Sequence, residues 1–232
     1  MTAQRDAYTG TDNLEAMQSA RRYNAFLTDL ALRSLPAEGR YLDFGAGIGT
    51  FARAVARAGR DVTALDTEPD HVAVMRAEGL HAISSLDGVP DHAFDGAWSF
   101  NVLEHIGDDI GALRAVRRVI RPGGILVAFL PALPLLWTPM DDKVRHHRRY
   151  TRASLSATLA AAGFATQTCR YADSLGALVT LVYKAIGSRE GDITPRSVAL
   201  YDRFVFPMSH RLDALTHRLG GKNVFAIAVR TP

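Results

Sequence analysis

A glycine-rich segment in the first quarter of the chain has the residue types of a nucleotide-binding loop. It reads Leu42-Asp43-Phe44-Gly45-Ala46-Gly47-Ile48-Gly49-Thr50 and follows a short apolar run. Glycine allows sharp turns and a close approach of the backbone to a ligand. A dinucleotide fingerprint has Gly-x-Gly-x-x-Gly, but here the third glycine comes one residue early and Thr50 holds the sixth position. Asp43 would add negative charge beside a pyrophosphate, whereas the same carboxylate suits a cationic group.

A second acidic residue, Asp66, ends the next apolar run, Val62–Leu65. A carboxylate at this place in a βαβ unit can accept hydrogen bonds from the two hydroxyls of a ribose. Together the two features predict a ligand with a ribose and a positive group but without a diphosphate. Each feature alone could be a tight turn or a helix cap. These two features are therefore also compatible with a nicotinamide-dependent oxidoreductase or with a non-catalytic binding module.

Short apolar runs alternate with helical patterns over the first 131 residues. The predicted strands are Tyr41–Phe44, Val62–Leu65, His81–Ser84, Ala97–Phe100 and Ile125–Leu130, and the predicted helices are Asn13–Leu35, Ile48–Ala58, His71–Glu78 and Ile110–Ile120. Pro122-Gly123-Gly124 is among the predicted helix terminators. This alternation implies parallel strands with right-handed crossovers and helices on both faces. The pattern predicts a doubly wound α/β sheet, with its ligand beyond the carboxyl ends of the strands.

The remainder of the chain has a different pattern. Pro131–Tyr150 is predicted to be a long loop, and it is followed by a helix over Thr151–Ala162, a strand over Phe164–Arg170, helices over Ser174–Ile186 and Pro195–Leu219, and a last strand over Lys222–Val229. Loops of this length in compact domains usually serve a function. We therefore divide the chain into an N-terminal helical segment (1–39), an α/β ligand-binding core (40–131) and a C-terminal part with the loop, cap helices and last strands (132–232).

The composition limits the remaining classes of protein. The chain has 232 residues, 47% of them hydrophobic and 22% charged, with a net charge of +3, which is typical of a folded globular domain. No stretch approaches the ~18 uncharged apolar residues of a membrane span. The first residues are polar and do not resemble a secretory signal, and Cys169 is the only cysteine, so no internal disulfide can form and a cytoplasmic location is expected.

Several motifs taken together resemble the class I S-adenosylmethionine-dependent methyltransferases. They are the loop 42–49, Asp66, Phe94-Asp95, Asn101-Val102-Leu103-Glu104-His105 and Arg121-Pro122-Gly123-Gly124, with Arg22-Tyr23-Asn24 some distance before the loop. The segment Trp137, Asp141, His146, Arg148, Arg149, Tyr150 and Thr151 is similar to a branch that includes the ubiquinone-pathway methyltransferases. It departs from that branch at Arg145, where glycine is commoner. The resemblance implies a Rossmann-like, mostly parallel seven-stranded sheet with a helical cap.

The resemblance also implies S-adenosylmethionine as the cofactor and assigns residues to it. Asp43 and the backbone of Gly45, Ala46 and Gly47 would hold the methionine part, and Asp66 would hold the ribose. Thr67, Ser85 and Leu86 would contact the adenine. Asn101 would line the floor near the sulfonium, and Tyr23 would close over the cofactor. The activity implied is methyl transfer to an oxygen or nitrogen of a small-molecule acceptor, with a lipid-linked or peptide acceptor as an alternative.

The acceptor side is predicted from the loop 131–150. A hydroxyl acceptor needs a base, and His146 is the first candidate, with His105 the second. The loop leaves the carboxyl end of the fifth predicted strand, where ligands of such sheets bind, so four of its residues are predicted to bind the acceptor: Trp137, Asp141, Arg149 and Tyr150. The Arg149 guanidinium could recognise an anionic acceptor. The basic residues here could instead pair with Asp141 and Asp142.

Other partners are less favoured by the sequence. The basic cluster lacks an aromatic stacking platform, so nucleic acid is not expected. The helix 174–186 is predicted to be a core or lid helix, with peripheral membrane contact as the less favoured alternative. No local His or Cys spacing suggests a metal site, so none is expected. The sequence does not indicate an oligomeric state.

Overall fold

A computed structural model describes residues 17–186 and 195–232. Seven strands form one sheet in the order β3-β2-β1-β4-β5-β7-β6. The strands are β1 (Arg40–Phe44), β2 (Asp61–Leu65), β3 (His81–Ile83), β4 (Phe94–Phe100), β5 (Ile120–Pro131), β6 (Phe164–Ala172) and β7 (Asn223–Arg230). β1 to β5 pair in parallel, and β7 runs antiparallel to both β5 and β6. The predicted mostly parallel, seven-stranded sheet is confirmed.

Helices connect the strands and cover both faces of the sheet. They are α1 (Arg21–Ser34), α2 (Thr50–Arg57), α3 (Pro69–Ala77), α4 (Asp109–Val119), α5 (Pro139–Lys143), α6 (Arg152–Ala161), α7 (Ser174–Ile186), α8 (Pro195–Leu200) and α9 (Phe206–Thr216). One core cluster packs under α4 and α6, and the other packs under α1, α2 and α3. The central segment Leu126–Leu130 of β5 is at most 1% exposed. Helices on both faces explain why this strand is continuously apolar.

Several predicted elements have different boundaries in the structure, two of them by five residues or more. The predicted helix Asn13–Leu35 is described from Arg21 onwards as α1, and residues 13–16 lie outside the described part. The predicted strand Ile125–Leu130 begins five residues earlier, at Ile120. Ile120 pairs with Phe94, and a register shift then carries the pairing to Gly96 and Ile125. The Pro122–Gly124 segment therefore bulges within the strand rather than only ending the helix before it.

The stretch predicted to be helical over Pro195–Leu219 is helical from Pro195 to Thr216. A five-residue π-helical turn, Tyr201–Val205, separates α8 from α9. Pro207 lies in the first turn of α9 and has no N–H, so it cannot donate to the Arg203 carbonyl one turn earlier. That carbonyl instead accepts a hydrogen bond of 3.1 Å from Arg22 Nη1 of α1. The break thus joins the C-terminal helices to α1.

The loop after β5 contains more regular structure than the sequence predicts. It includes a 3₁₀ turn (Pro134–Leu136) and the short helix α5, whose first turn is closed by Thr138 and Asp141. Arg145 follows with φ of 58°. This left-handed conformation is the one that glycine adopts readily, so the chain keeps a glycine-like turn at this position while carrying arginine.

The helices between β6 and β7 form a cap over α1. The Asp202 carboxylate in the π-helical turn accepts hydrogen bonds from the backbone N–H groups of Arg22 (3.0 Å) and Tyr23 (2.8 Å). These are N–H groups of the first turn of α1, which have no partners within the helix. Within residues 17–186 and 195–232, no helix combines the length and apolar character needed to cross a membrane.

Candidate active site

The glycine loop connects β1 to α2 at the carboxyl edge of the sheet. Gly45, Gly47 and Gly49 have φ of 80°, 55° and 82°, which other residues adopt only with strain. A Cβ on Gly45 would lie 2.4 Å from Val102 Cγ2. The loop is therefore packed directly against the turn that follows β4, and Gly45 is required there by contact as well as by conformation.

Asp43 lies at the end of β1, beneath this loop, and is 2% exposed. Among the described residues, its Oδ2 has no hydrogen-bond partner. Burial, and then the neighbouring Asp66, raise the pKa of Asp43 well above its ordinary value. A buried carboxylate oxygen without a partner is costly, and a bound ammonium or sulfonium would compensate it. This orphaned oxygen fits the cationic methionine part of S-adenosylmethionine.

Asp66 is fixed by three hydrogen bonds at the end of β2. Its Oδ2 accepts from Gly47 N (2.7 Å), and its Oδ1 accepts from Glu68 N (2.9 Å) and lies 3.2 Å from His71 Nδ1. A carboxylate has about four acceptor sites, so capacity remains for a ribose hydroxyl. The His71 contact raises the pKa of that imidazole. Sequence reasoning did not single out His71 as a partner of Asp66.

The predicted adenine-contacting residues lie at the same edge. Thr67 is exposed directly after Asp66, whereas Ser85 and Leu86 are half-buried after β3. The two strand ends are joined because Asp66 N donates to the Ile83 carbonyl at 3.2 Å. Ser85 Oγ accepts from Asp87 N at 2.8 Å, which orders the turn. The structure thus brings these residues to one side of Asp66, and their adenine contacts stay a prediction.

Tyr23 and Asn101 meet beside the glycine loop. Asn101 follows β4 with φ of 55°, a value that asparagine tolerates better than most residues. Its Nδ2 donates to the Tyr23 hydroxyl at 3.4 Å, and Tyr23 packs edge-on against Phe129 and Phe206. Burial raises the pKa of Tyr23. The residue predicted to close over the cofactor therefore contacts the residue predicted to lie at its floor.

Three side chains, Glu104, His105 and His146, form what we call the Glu–His–His cluster. One ligand-type atom from each lies within 4.8 Å of the others, and the two imidazole centroids are 4.6 Å apart. Burial raises the pKa of Glu104 to about 8. Burial, and then the neighbouring His146, lower the pKa of His105 to about 4. The structure thus brings both predicted base candidates together around a buried carboxyl group.

Asp141 forms hydrogen bonds with several residues of the loop after β5. Its Oδ1 lies 2.7 Å from His146 Nδ1, its two oxygens accept from Arg149 Nε and Nη2 at 2.8 and 2.9 Å, and Thr138 N donates to it at 2.8 Å. Burial opposes ionisation, but the hydrogen bonds from His146 and Arg149 outweigh it and lower the pKa of Asp141. An ionised Asp141 requires a proton on Nδ1 of neutral His146, which leaves the Nε2 lone pair facing the cluster.

The other predicted acceptor-binding residues have partners within the protein. Arg149 forms an ion pair with Asp141, and its side chain is 7% exposed. This is the alternative in which the basic residues of the loop pair with its acidic residues. Tyr150 is buried, and its hydroxyl donates to Asp109 Oδ2 at 2.7 Å. Trp137 is half-buried and donates to Asp142 Oδ1 at 3.0 Å. Acceptor binding by these residues stays a prediction.

Two further residues of the site were missed or undervalued in the sequence. In the sequence Glu104 stands out only as a member of the 101–105 motif, yet it is 1% exposed and its Oε2 lacks a partner among the described residues. Asp109 is 5% exposed, and its carboxylate accepts a hydrogen bond from the Tyr150 hydroxyl and forms an ion pair with Arg148. The available signal was weak: an acid inside an otherwise apolar Val-Leu-Glu-His-Ile run, and an acid at the start of a helix.

Comparisons with known proteins identify the family of the chain. A family model described as a methyltransferase domain matches residues 15–168. The chain belongs to the methyltransferase-domain family. The predicted class I S-adenosylmethionine-dependent methyltransferase is thereby confirmed, and S-adenosylmethionine is the cofactor of this class.

Individual relatives are similar over part of their length. An uncharacterised 37.1 kDa protein in transposon TN4556 of Streptomyces fradiae is 35% identical over 159 residues, 63% of this chain and 45% of that protein. The ubiquinone biosynthesis O-methyltransferase of Xanthomonas oryzae is 37% identical over 100 residues, 39% of this chain and 42% of the enzyme. The chain thus spans less than half the length of the curated relatives it matches.

A solved structure shows the same fold. An S-adenosylmethionine-dependent methyltransferase of Thermotoga maritima superposes with a TM-score of 0.65, with 96% of each chain covered and 15% identity. At this identity the similarity supports the fold alone. The assignment to the family therefore rests on the matched methyltransferase domain.

Proposed function

We propose that this protein transfers a methyl group from S-adenosylmethionine to a hydroxyl oxygen of a small-molecule acceptor. The observation that carries the proposal is the Glu–His–His cluster, whose Glu104 lies three residues after Asn101, the residue predicted to lie near the sulfonium. A sulfonium-bound methyl group is already activated, but a hydroxyl acceptor still has to lose a proton. Similarity to ubiquinone biosynthesis O-methyltransferases supports oxygen rather than nitrogen as the acceptor atom.

The residues of the pocket have separate roles in this proposal. Asp43 neutralises the cationic methionine part, and Asp66 accepts hydrogen bonds from the ribose. When bound, S-adenosylmethionine supplies the methyl group and leaves as S-adenosylhomocysteine. Tyr23 and Asn101 exclude water and bound the space near the methyl carbon. Aligning the acceptor with that carbon contributes several kcal/mol of the rate acceleration.

Proton removal is the role of the loop after β5. Asp141 holds His146 with Nδ1 protonated, so Nε2 can accept the acceptor hydroxyl proton. The acceptor oxygen then forms its bond to the methyl carbon while the sulfur keeps the electron pair of the broken bond. His146 becomes imidazolium, which the adjacent Asp141 stabilises. The ion pair between Arg149 and Asp141 keeps this arrangement rigid.

Two experiments test the proposal. Calorimetry should show that S-adenosylhomocysteine binds and NAD does not, and Asp66→Ala should weaken that binding because the ribose hydrogen bonds are lost. Labelled methyl transfer should then be screened against phenols, catechols, sugars and matched amines. Transfer to a hydroxyl acceptor supports the proposal. Binding of NAD without S-adenosylhomocysteine, or transfer confined to the amines, contradicts it.

A further inference from the structure

The Glu–His–His cluster has the composition of a metal site as well as that of a base. Glu104 and His105 come from the 3₁₀ turn after β4, whereas His146 comes from the loop after β5. The carboxyl ends of these paired strands bring the three side chains to one point. We propose that Glu104, His105 and His146 bind a divalent transition-metal cation with a coordination position left open.

The buried carboxylate gives the first argument. Glu104 is 1% exposed, its Oε1 lies 4.0 Å from His146 Nε2, and no described residue donates a hydrogen bond to its Oε2. A buried acceptor without a partner costs about 1–3 kcal/mol, and more when the group is charged. A cation between Glu104 and the two imidazoles would remove that cost.

The surroundings of the two histidines give the second argument. His146 Nδ1 contacts Asp141 at 2.7 Å, and the His105 ring hydrogen-bonds to the backbone of Val144. Metal-binding histidines almost always use their second nitrogen in this way, because the outer contact fixes the tautomer and the ring orientation. Asp141 is itself held by Arg149 and Thr138, so the outer contacts form a rigid frame.

The distances and ligand types indicate which cations fit. Bonds of about 2.1 Å place two ligands about 3 Å apart at right angles and about 4 Å apart when opposite. The observed separations of up to 4.8 Å therefore require a contraction of about 1–2 Å to reach these distances. Two imidazoles and one carboxylate favour Zn²⁺, Mn²⁺ or Fe²⁺ over Mg²⁺, and three protein ligands leave a position for an exogenous oxygen.

The role of this position rests on the proposed function. An acceptor hydroxyl at the open position would lose its proton to solvent more readily, because a bound cation stabilises the oxyanion. The oxyanion then attacks the methyl carbon, and the sulfur keeps the electron pair. His146 Nε2 is a ligand in the metal-bound state, where the proton leaves to solvent, and it accepts the proton as described above in the metal-free state.

Metal binding can be tested without any acceptor. Chelator-stripped protein is titrated with ZnCl₂ and with MgCl₂ by calorimetry, together with Glu104→Gln, His146→Ala and, as a matched control, His147→Ala. His147 is exposed and adjacent to His146 in the chain. We expect stoichiometric Zn²⁺ binding to the wild type and to His147→Ala, and a loss of at least ~100-fold in both ligand variants. That loss should exceed the ~10–100-fold typical of outer contacts.

Two further measurements keep the result interpretable. Melting curves in chelator show whether Glu104→Gln and His146→Ala are folded. Zinc X-ray absorption of the wild type, which needs no variant, should show two imidazole ligands. Unchanged affinity in folded ligand variants, equal loss in His147→Ala, or a spectrum without imidazoles would overturn the metal site. Metal binding without hydroxyl methylation would instead contradict the proposed function alone.

Discussion

Replacing Tyr150 with phenylalanine separates a structural role for this residue from the predicted acceptor contact. The Tyr150 ring is 2% exposed, and its hydroxyl donates to the carboxylate of Asp109, which is 5% exposed. Phenylalanine fills the same volume, so no cavity term arises. The change removes one hydrogen bond to a charged group and little else.

The expected magnitude follows from that contact. A hydrogen bond to a charged group contributes about 1.5–3 kcal/mol. Asp109 keeps its ion pair with Arg148 at 2.7 Å, so we place the loss of unfolding free energy in the lower part of that range, about 1.5–2 kcal/mol. For a domain of this size, each kcal/mol lowers Tm by about 2–4 °C. Tyr150→Phe should therefore melt about 3–8 °C below the wild type.

The assay is urea unfolding followed by tryptophan fluorescence, with S-adenosylhomocysteine affinity measured in parallel. Tyr171→Phe is the matched control, because Tyr171 is also buried but only accepts from Arg152 N at 3.3 Å. We expect the control to lose less than about 1 kcal/mol. Both variants should keep their S-adenosylhomocysteine affinity. Unchanged stability of Tyr150→Phe, with a raised KM for the acceptor, would refute the structural role.

Four further outcomes are expected. Gly47→Val should bind S-adenosylhomocysteine at least ~10-fold more weakly in calorimetry yet remain folded by circular dichroism, because its φ of 55° strains any other residue. His146→Ala should lower kcat without changing S-adenosylhomocysteine affinity, and full turnover would remove its role. Arg145→Gly should raise the unfolding free energy by up to about 1 kcal/mol, since φ is 58°. Asp95→Asn should cost about 1 kcal/mol at pH 7 in urea unfolding, because Arg40 N and Arg121 lower the Asp95 pKa. The ionised form of Asp95 contributes this stability, so the difference should shrink as the pH falls below about 4 and disappear once the pH is below the lowered pKa of Asp95 in the folded protein.

The sheet could be predicted because its strands carry an unambiguous pattern. Residues 126–130 of β5 are all apolar. A strand that is covered on both faces shows such a continuous run, whereas a strand with one solvated face alternates between apolar and polar residues. The start of β5 could not be predicted, because its extension depends on the pairing of Ile120 with Phe94 and on the bulge after it. A Cβ on Gly124 would lie 2.7 Å from the Asp95 carbonyl oxygen, a contact across two strands that a single-strand pattern does not encode.

The candidate site was predictable wherever its residues are local in sequence. The glycine loop, Asp43 and Asp66 all belong to one βαβ unit, so their spacing is informative. Glu104 and His146 are separated by 42 positions, and no spacing rule relates them. The pairing of β4 with β5 and the hydrogen bond from His147 N to the Glu104 carbonyl bring them together. For the same reason a search for local His and Cys spacing gave no indication of the cluster.

The loop after β5 is fixed to the turn after β4 by contacts that bracket the cluster. His147 N donates to the Glu104 carbonyl at 2.7 Å, and Arg148 Nη2 donates to the Gly107 carbonyl at 2.6 Å. The first of these bonds involves only backbone atoms, so it sets the position of His146 against Glu104 whatever the neighbouring side chains are. The segment 133–137, by contrast, has no such bonds to the turn after β4 within the described residues. Substitutions there can reshape the acceptor side while the chemistry-bearing atoms keep their positions, because the scaffold holds the site independently of the outer loop.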